Sequence, residues 1–221
     1  VIEPALRSLL PPEVAVVAGP VVGFTGPLFP PEQATIARAV PKRVAEFTAG
    51  RIAARRALSQ AGVTAGALER GPGGAVVWPM GATGSISHGG GMVAALAVAQ
   101  AGTAEDIATL GVDLEPLSDR AEGLVDTIAT PDEAKRAREW EGGLLRVFSA
   151  KEAAFKALYP RVGAYFGFHA LEVTLAKRGF VARLVRPLGD VATDAVVTGG
   201  QALAAGFVVS AVVLRGQMWR E

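Results

Sequence analysis

The chain of 221 residues carries a net charge of +1, with 22 Lys and Arg against 21 Asp and Glu, and hydrophobic residues make up 50% of it. This composition excludes a disordered chain and a strongly basic nucleic-acid binder, so only local positive patches can attract anions. Cysteine is absent, which excludes disulfides, thiolate metal sites and a cysteine nucleophile, and makes a reducing cytoplasm the expected compartment.

In chain order, an apolar β-type run at 14–18 precedes helical periodicity at 31–39 and 43–61. Further β-type runs follow at 75–78, 92–99 and 110–114, then helices at 119–139 and 149–158, then strands at 171–175, 180–185 and 205–214. Gly and Pro clusters at 19–31, 71–74, 79–91 and 160–167 predict loops. The pattern predicts an α+β fold. QAGTAED at 100–106 is the candidate linker, dividing the chain into lobes 1–104 and 105–221. The apolar runs at 92–99 and 205–214 fall short of the roughly 20 residues that span a bilayer. No charged n-region precedes an early apolar stretch, so neither a membrane span nor a signal peptide is expected.

An internal echo supports the two-lobe division. RVAEFTAGRIAARRAL from Arg43 resembles RVFSAKEAAFKAL from Arg146, with Phe47-Thr48-Ala49 falling on Phe148-Ser149-Ala150. Related halves would pair about a pseudo-two-fold axis with a ligand cleft between them.

Three segments carry candidate chemistry. FSAKEAAFKAL (148–158) concentrates Lys151, Glu152 and Lys156 on an otherwise apolar helix. A structural reading makes Ser149 and Glu152 a capping box and Glu152 with Lys156 an i, i+4 pair. GVDLEPL (111–117) is extended, so Asp113 and Glu115 share one face at a spacing of about 7 Å. Two like charges so placed need a counter-cation. With Glu152 as a third donor, the set suits a hard ion such as Mg²⁺. In GATGSISHGGG (81–91), Ser85, Ser87 and His88 sit in a predicted glycine-rich turn, where amides, hydroxyls and an imidazole can meet a phosphate. The nucleophile elbow of Ser-His hydrolases is not present there. His169, in an apolar stretch, reads as a core or edge-strand histidine. Tyr159, Tyr165, Phe166 and Phe168 read as core, with an apolar surface for a partner helix as the alternative.

In order and spacing, GSISH (84–88), GVDLE (111–115) and FSAKEAAFK (148–156) resemble the 4′-phosphopantetheinyl transferases, and FTAGRIAARRAL (47–58) and RGPGGAVVWPMG (70–81) resemble their enterobactin-type branch. The resemblance covers about residues 42–175. It implies a pseudo-dimer of two similar lobes, each a small antiparallel sheet packed with helices. It also implies transfer of the phosphopantetheine arm of coenzyme A to a serine of an apo acyl or peptidyl carrier protein. Magnesium is required, with manganese as the alternative.

Asp113, Glu115 and Glu152 then correspond to the metal group, with Glu152 also accepting the serine proton, directly or through water. Lys156 would stabilise the leaving bisphosphate, and Lys151 would add charge at phosphate. Ser87 and His88 would contact coenzyme A phosphates. Arg43, Arg51 and Arg70 would read the 3′-phosphate, arginine being suited to it by its planar fork. A monomer is expected, without nucleic acid. The competing functions are a non-catalytic binding module for coenzyme A or carrier protein, and a Mg²⁺-dependent nucleotide pyrophosphohydrolase.

Overall fold

The computed structural model describes residues 1–100 and 106–216, so most of the candidate linker and the 104/105 boundary lie outside the described residues. Two antiparallel sheets divide the described chain between them. The first has the order β1-β3-β2, from β1 (Ala15–Pro20), β2 (Ala82–Gly89) and β3 (Met92–Ala99). The second has the order β4-β8-β7-β6-β5. Its strands are β4 (Ile107–Pro116), β5 (Leu171–Ala176), β6 (Gly179–Leu184), β7 (Val196–Ala204) and β8 (Phe207–Arg215). Short α1 (Ile2–Arg7) precedes the first sheet, and α2 (Pro30–Ile36) and α3 (Pro41–Gln60) follow β1. After β4 come α4 (Val125–Ile128), α5 (Pro131–Ala137) and α6 (Gly143–Val162). The α+β expectation is met. No helix of the described residues is long and apolar enough to cross a membrane.

The echo in the letters is an echo in the architecture. Strand order β1-β3-β2 is repeated as β4-β8-β7, with β6 and β5 added at the edge. In each half the first strand leads to a seven-residue helix and then a 20-residue helix before the hairpin that completes the sheet. Glu32 in α2 and Glu133 in α5 lie 101 residues apart, and both are buried at the third helical position. Each accepts the amide at its own N-cap, Phe29 or Thr130, at 2.9 Å, so the short helices start the same way.

Several elements depart from the sequence reading. The predicted loop at 79–91 contains β2, which turns through Gly90 and Gly91, both at positive φ, directly into β3. Two left-handed residues between paired strands make the tight hairpin that suits sheet twist. The predicted helix 119–139 is broken into a 3₁₀ turn, α4 and α5, because Pro131 lacks the amide to continue α4 and Thr130 caps a fresh start. The predicted strand 75–78 is reduced to one bridge between Val76 and Arg70. A strand not foreseen, β7, carries Gly199 and Gly200, where Phe180 and Leu9 pack against bare backbone.

Helix α6 begins at Gly143, six residues before the predicted capping box. Ser149 is therefore interior and fully buried, and its hydroxyl bonds Ser210 on β8 at 2.8 Å. Gln201 joins them through Ser210 at 2.9 Å and takes Arg146 Nε at 2.6 Å, so this polar core network is satisfied. Ala153, Ala157 and Leu158 face the same core, while Phe148 and Phe155 are only partly buried against it.

A second apolar cluster joins the two sheets. It runs from Ile2, Leu6 and Val16 through Ala94 and Leu96 to Val112, Leu114, Val209 and Ala211. At its edge β4 lies directly under α6: a Cβ on Gly111 would collide with the Ala153 carbonyl oxygen and lie 2.9 Å from the Ala157 nitrogen. Backbone meets backbone there, and no side chain fits between them. Gly111→Ala should cost roughly 1–3 kcal/mol of stability by overpacking. Urea unfolding of the two proteins measures it, and an unchanged midpoint would refute the close approach.

Candidate active site

Strand alternation places Gly111, Asp113 and Glu115 on one side of β4, and the same alternation places Ser85 and Ser87 on one side of β2. The two sets meet in the seam between the sheets. Ser85 Oγ accepts the Val112 amide at 3.0 Å, and the Ser87 hydroxyl donates to Asp113 Oδ1 at 3.1 Å. From α6 the Lys156 ammonium donates to Asp113 Oδ1 at 2.8 Å, Val112 O at 3.0 Å and Ser87 Oγ at 3.2 Å. All three of its donors are used, and they span both sheets.

Glu152 lies one turn before Lys156 on the same helix face. Burial raises its carboxyl pKa above the ordinary carboxylate value, the Asp113 charge adds to that, and Lys156 opposes it. A cavity of about 40 Å³ adjoins it, walled by Phe155, Tyr165, Phe166, Phe168 and Leu171. Phe155 packs on Phe166 with ring centroids 4.9 Å apart. Partial burial beside these rings makes Glu152 a stronger base than an exposed carboxylate.

His88, one residue past Ser87, turns to the opposite side of β2 and meets α3. Arg43 Nη1 is 2.8 Å from its Nε2, and Glu46 Oε2 is 3.6 Å from its Nδ1. Arginine only donates, so Nε2 is the acceptor and Nδ1 carries the hydrogen toward Glu46. Burial, with the Arg43 and Lys156 charges, lowers the imidazole pKa, against Glu46 and Asp113. The ring is neutral at neutral pH.

Asp113 Oδ2 in the seam is buried and accepts no hydrogen bond, while the partner of buried Glu115 Oε2 is the Arg120 guanidinium that lies against it as a counter-charge. Hard carboxylate oxygens on one strand face, one of them unsatisfied, fit a hard cation by their chemistry. The expected triad of Asp113, Glu115 and Glu152 is not assembled as a ligand set. Among the described residues no three His, Cys, Asp or Glu side chains are grouped to hold a metal ion. Lys156 and Arg120 supply the positive charge at Asp113 and Glu115 in its place.

The profile described as the 4′-phosphopantetheinyl transferase N-terminal domain matches residues 31–98, and that of the 4′-phosphopantetheinyl transferase superfamily matches residues 109–206. 4′-Phosphopantetheinyl transferase Svp of Streptomyces mobaraensis is 39% identical over 202 residues, 85% of this chain and 78% of that protein. The chain belongs to the 4′-phosphopantetheinyl transferase superfamily. 4′-Phosphopantetheinyl transferase PptT of Mycobacterium tuberculosis is 32% identical over 200 residues, 84% of this chain and 85% of that protein. Enterobactin synthase component D of Escherichia coli strain K12 is 37% identical over 139 residues, 59% of this chain and 62% of that protein. Like the named relatives, this superfamily member is an enzyme of the transferase type.

The remaining residues singled out in this phosphopantetheinyl transferase divide by burial. Arg43 and Arg70 are exposed, whereas Arg51 is buried, donates Nε to Leu68 O at 2.7 Å and lies over the Phe47 ring at 4.3 Å. Burial lowers the Arg51 pKa to about 10, with Arg43, Arg55 and Arg70 repelling it and Glu32 opposing. Mutually repelling guanidiniums are an electrostatic setting for an anion.

Lys151 lines the same cavity as Glu152, but its ammonium is engaged away from the seam. Its fully buried ammonium donates to Ile128 O at 2.9 Å and pairs with Glu133 at 2.9 Å, which fixes α6 to α5 and leaves no donor path to a phosphate. Ser87, expected to reach a phosphate from an open loop, is buried in β2 with its hydroxyl engaged as described above. His169 is exposed, with Nε2 2.8 Å from Asp126 O, rather than in the core. Of the aromatic group, Phe166 is buried and Tyr165 is 80% exposed. Sequence reasoning missed Glu46, Arg120, Ser85 as a seam residue and the need for Gly111. The i, i+2 spacing of Ser85 and Ser87 was the signal available for one of them.

The raised pKa of Glu152 has a consequence for stability. A protonated Glu152 favours the folded state fully below its unfolded pKa, and this contribution is lost as pH rises through the higher folded value. Glu152→Gln keeps it at every pH. In chelator, the variant should melt above the parent at pH 7 and together with it near pH 4, as read by thermal unfolding across pH. A lower melting temperature at pH 7 would contradict the burial argument.

Proposed function

We propose that this transferase moves the 4′-phosphopantetheine arm of coenzyme A onto a serine hydroxyl of an apo acyl or peptidyl carrier domain, releasing adenosine 3′,5′-bisphosphate. The observation that carries the reading is the Lys156 ammonium joining Ser87 and Asp113 across the seam, one helical turn from a desolvated Glu152.

The chemistry is displacement at the phosphorus that bears the pantetheine. The serine oxygen forms a bond to that phosphorus as the bond to the bisphosphate oxygen breaks. Glu152, a base strengthened by burial, takes the serine proton. Lys156, its ammonium held in the seam, sets its positive charge beside the emerging bisphosphate oxygen, where that charge is worth more in a partly desolvated seam than in water. His88 is neutral and already oriented by Arg43 and Glu46, so it offers its ring to coenzyme A without a net charge. Arg43 and Arg70, backed by buried Arg51, hold the 3′-phosphate and fix the nucleotide at a distance from the reacting phosphorus, which supplies alignment. Asp113 and Glu115 are the side chains that would hold magnesium, leaving Glu152 as the base, and the ion when bound would supply positive charge against the diphosphate.

The test is incubation of the purified protein with coenzyme A, Mg²⁺ and a panel of apo carrier domains, read by mass spectrometry. A gain of one phosphopantetheine unit on the carrier is expected. Hydrolysed coenzyme A without that gain would make the protein a pyrophosphohydrolase, and neither product would make it a binding module. Glu152→Gln should lower transfer by about 10²–10⁴-fold and Lys156→Ala by about 10²-fold.

A further inference from the structure

The face of α6 that carries Glu152 and Lys156 continues one turn further to Tyr159, which neither the fold nor the transfer chemistry has so far used. Its hydroxyl crosses to the first half of the chain and donates to Pro72 O at 3.0 Å. Its ring is steadied by Phe155, with centroids 5.5 Å apart. The turn that receives it is shaped for the purpose. Gly73 and Gly74 are both left-handed, at φ of 62° and 85°. A Cβ on Gly73 would collide with the Tyr159 hydroxyl, and one on Gly74 would lie 2.6 Å from Arg70 Nη2. Two missing side chains therefore make room, side by side, for the tip of Tyr159 and for the guanidinium of Arg70.

The same segment is tied down at its other end. Leu68 gives its amide to Glu32 at 2.9 Å and its carbonyl to Arg51 at 2.7 Å. Between these ties the loop closes on itself through Gly71 N to Ala75 O at 2.8 Å and Gly74 N to Gly71 O at 3.1 Å. Arg70 thus sits on a short, closed loop held by α3 at one end and by the catalytic helix at the other.

We propose that Tyr159 is a positioning residue for coenzyme A, clasping the Pro72–Gly74 turn to α6 so that Arg70 is held at a fixed distance from Lys156 and Glu152. The proposal rests on the reading of Arg70 as a 3′-phosphate contact. Tyr159 touches no reacting atom. It sets the span between the nucleotide anchor and the seam, and so it governs how well the donor's 3′-phosphate is used.

The experiment compares coenzyme A with dephospho-coenzyme A as donors to one apo carrier domain, for the parent, Tyr159→Phe, Arg70→Ala and the double variant. Loss of one hydrogen bond should raise the KM for coenzyme A by about two- to tenfold in Tyr159→Phe. The KM for dephospho-coenzyme A and kcat with either donor should stay within about twofold. Added to Arg70→Ala, the Tyr159 change should cost nothing further, because the two act through one contact. Equal losses on both donors, additive losses in the double variant, or a parent with the same KM for both donors would each overturn the proposal.

Amide exchange in the ligand-free protein scores the clasp separately. Gly74 and Ala75 should exchange faster in Tyr159→Phe, and unchanged exchange overturns the clasp. A parent that modifies no carrier with either donor would defeat the transferase reading, while the exchange result would still stand on its own.

Discussion

One ammonium group holds the site together. Lys156 reaches from α6 to a serine of the first sheet and to an aspartate and a carbonyl of the second, so the relative placement of both sheets and the helix is fixed at a single cation. The arrangement depends on Gly111, because only a strand without a side chain there lets α6 approach β4 closely enough for a lysine to bridge. It depends equally on the buried network of Arg146, Ser149, Gln201 and Ser210, which pins the helix against β7 and β8. Ser210 pairs with Asp113 across the β4–β8 ladder, so the residue that fixes the helix and the residue that receives its cation are direct neighbours.

Catalytic geometry of this kind is costly to the fold. A carboxylate such as Glu152, buried against an aromatic wall, loses hydration that Lys156 only partly replaces, and Asp113 repels it. Asp113 Oδ2 adds a further unsatisfied acceptor in the same seam. Elsewhere the buried polar groups are matched: Glu32 and Glu133 each accept from a cation and two backbone amides. Unsatisfied groups concentrate where charge from a substrate or ion would complete them, and this separates the site from the merely structural ion pairs.

Each half of the chain was legible in part. Long apolar strands such as β3, β4 and β8 and the periodic α3 and α6 are close to where the pattern puts them. β2 was hidden because its buried side consists of small polar residues, Thr83, Ser85 and Ser87, which read as turn chemistry until the opposing strand is known. β7 was hidden by Gly199 and Gly200, whose role is to admit neighbours from elsewhere in the chain. Asp113 and Glu115 could be placed on a common face from alternation alone. Lys151 could not be separated from Lys156, because the acid that buries it is 18 residues upstream in a helix whose position the local pattern does not fix.

Comparison of the two halves explains that separation. At the offset of 101 residues that relates Glu32 to Glu133, Arg55 corresponds to Lys156 and Arg51 to Glu152. In the first half Glu32 takes its cation from Arg55, at the register equivalent to Lys156. In the second half Glu133 takes it from Lys151, more than one turn earlier on the long helix. The structural ion pair is kept in both halves, but its cation has a different register. Because Lys151 satisfies Glu133, Lys156 is free of that duty and reaches across the seam to Asp113. The structural demand for one buried lysine is thus what leaves the second available for chemistry, and the short spacing of the two along α6 reflects two separate jobs on two faces of one helix.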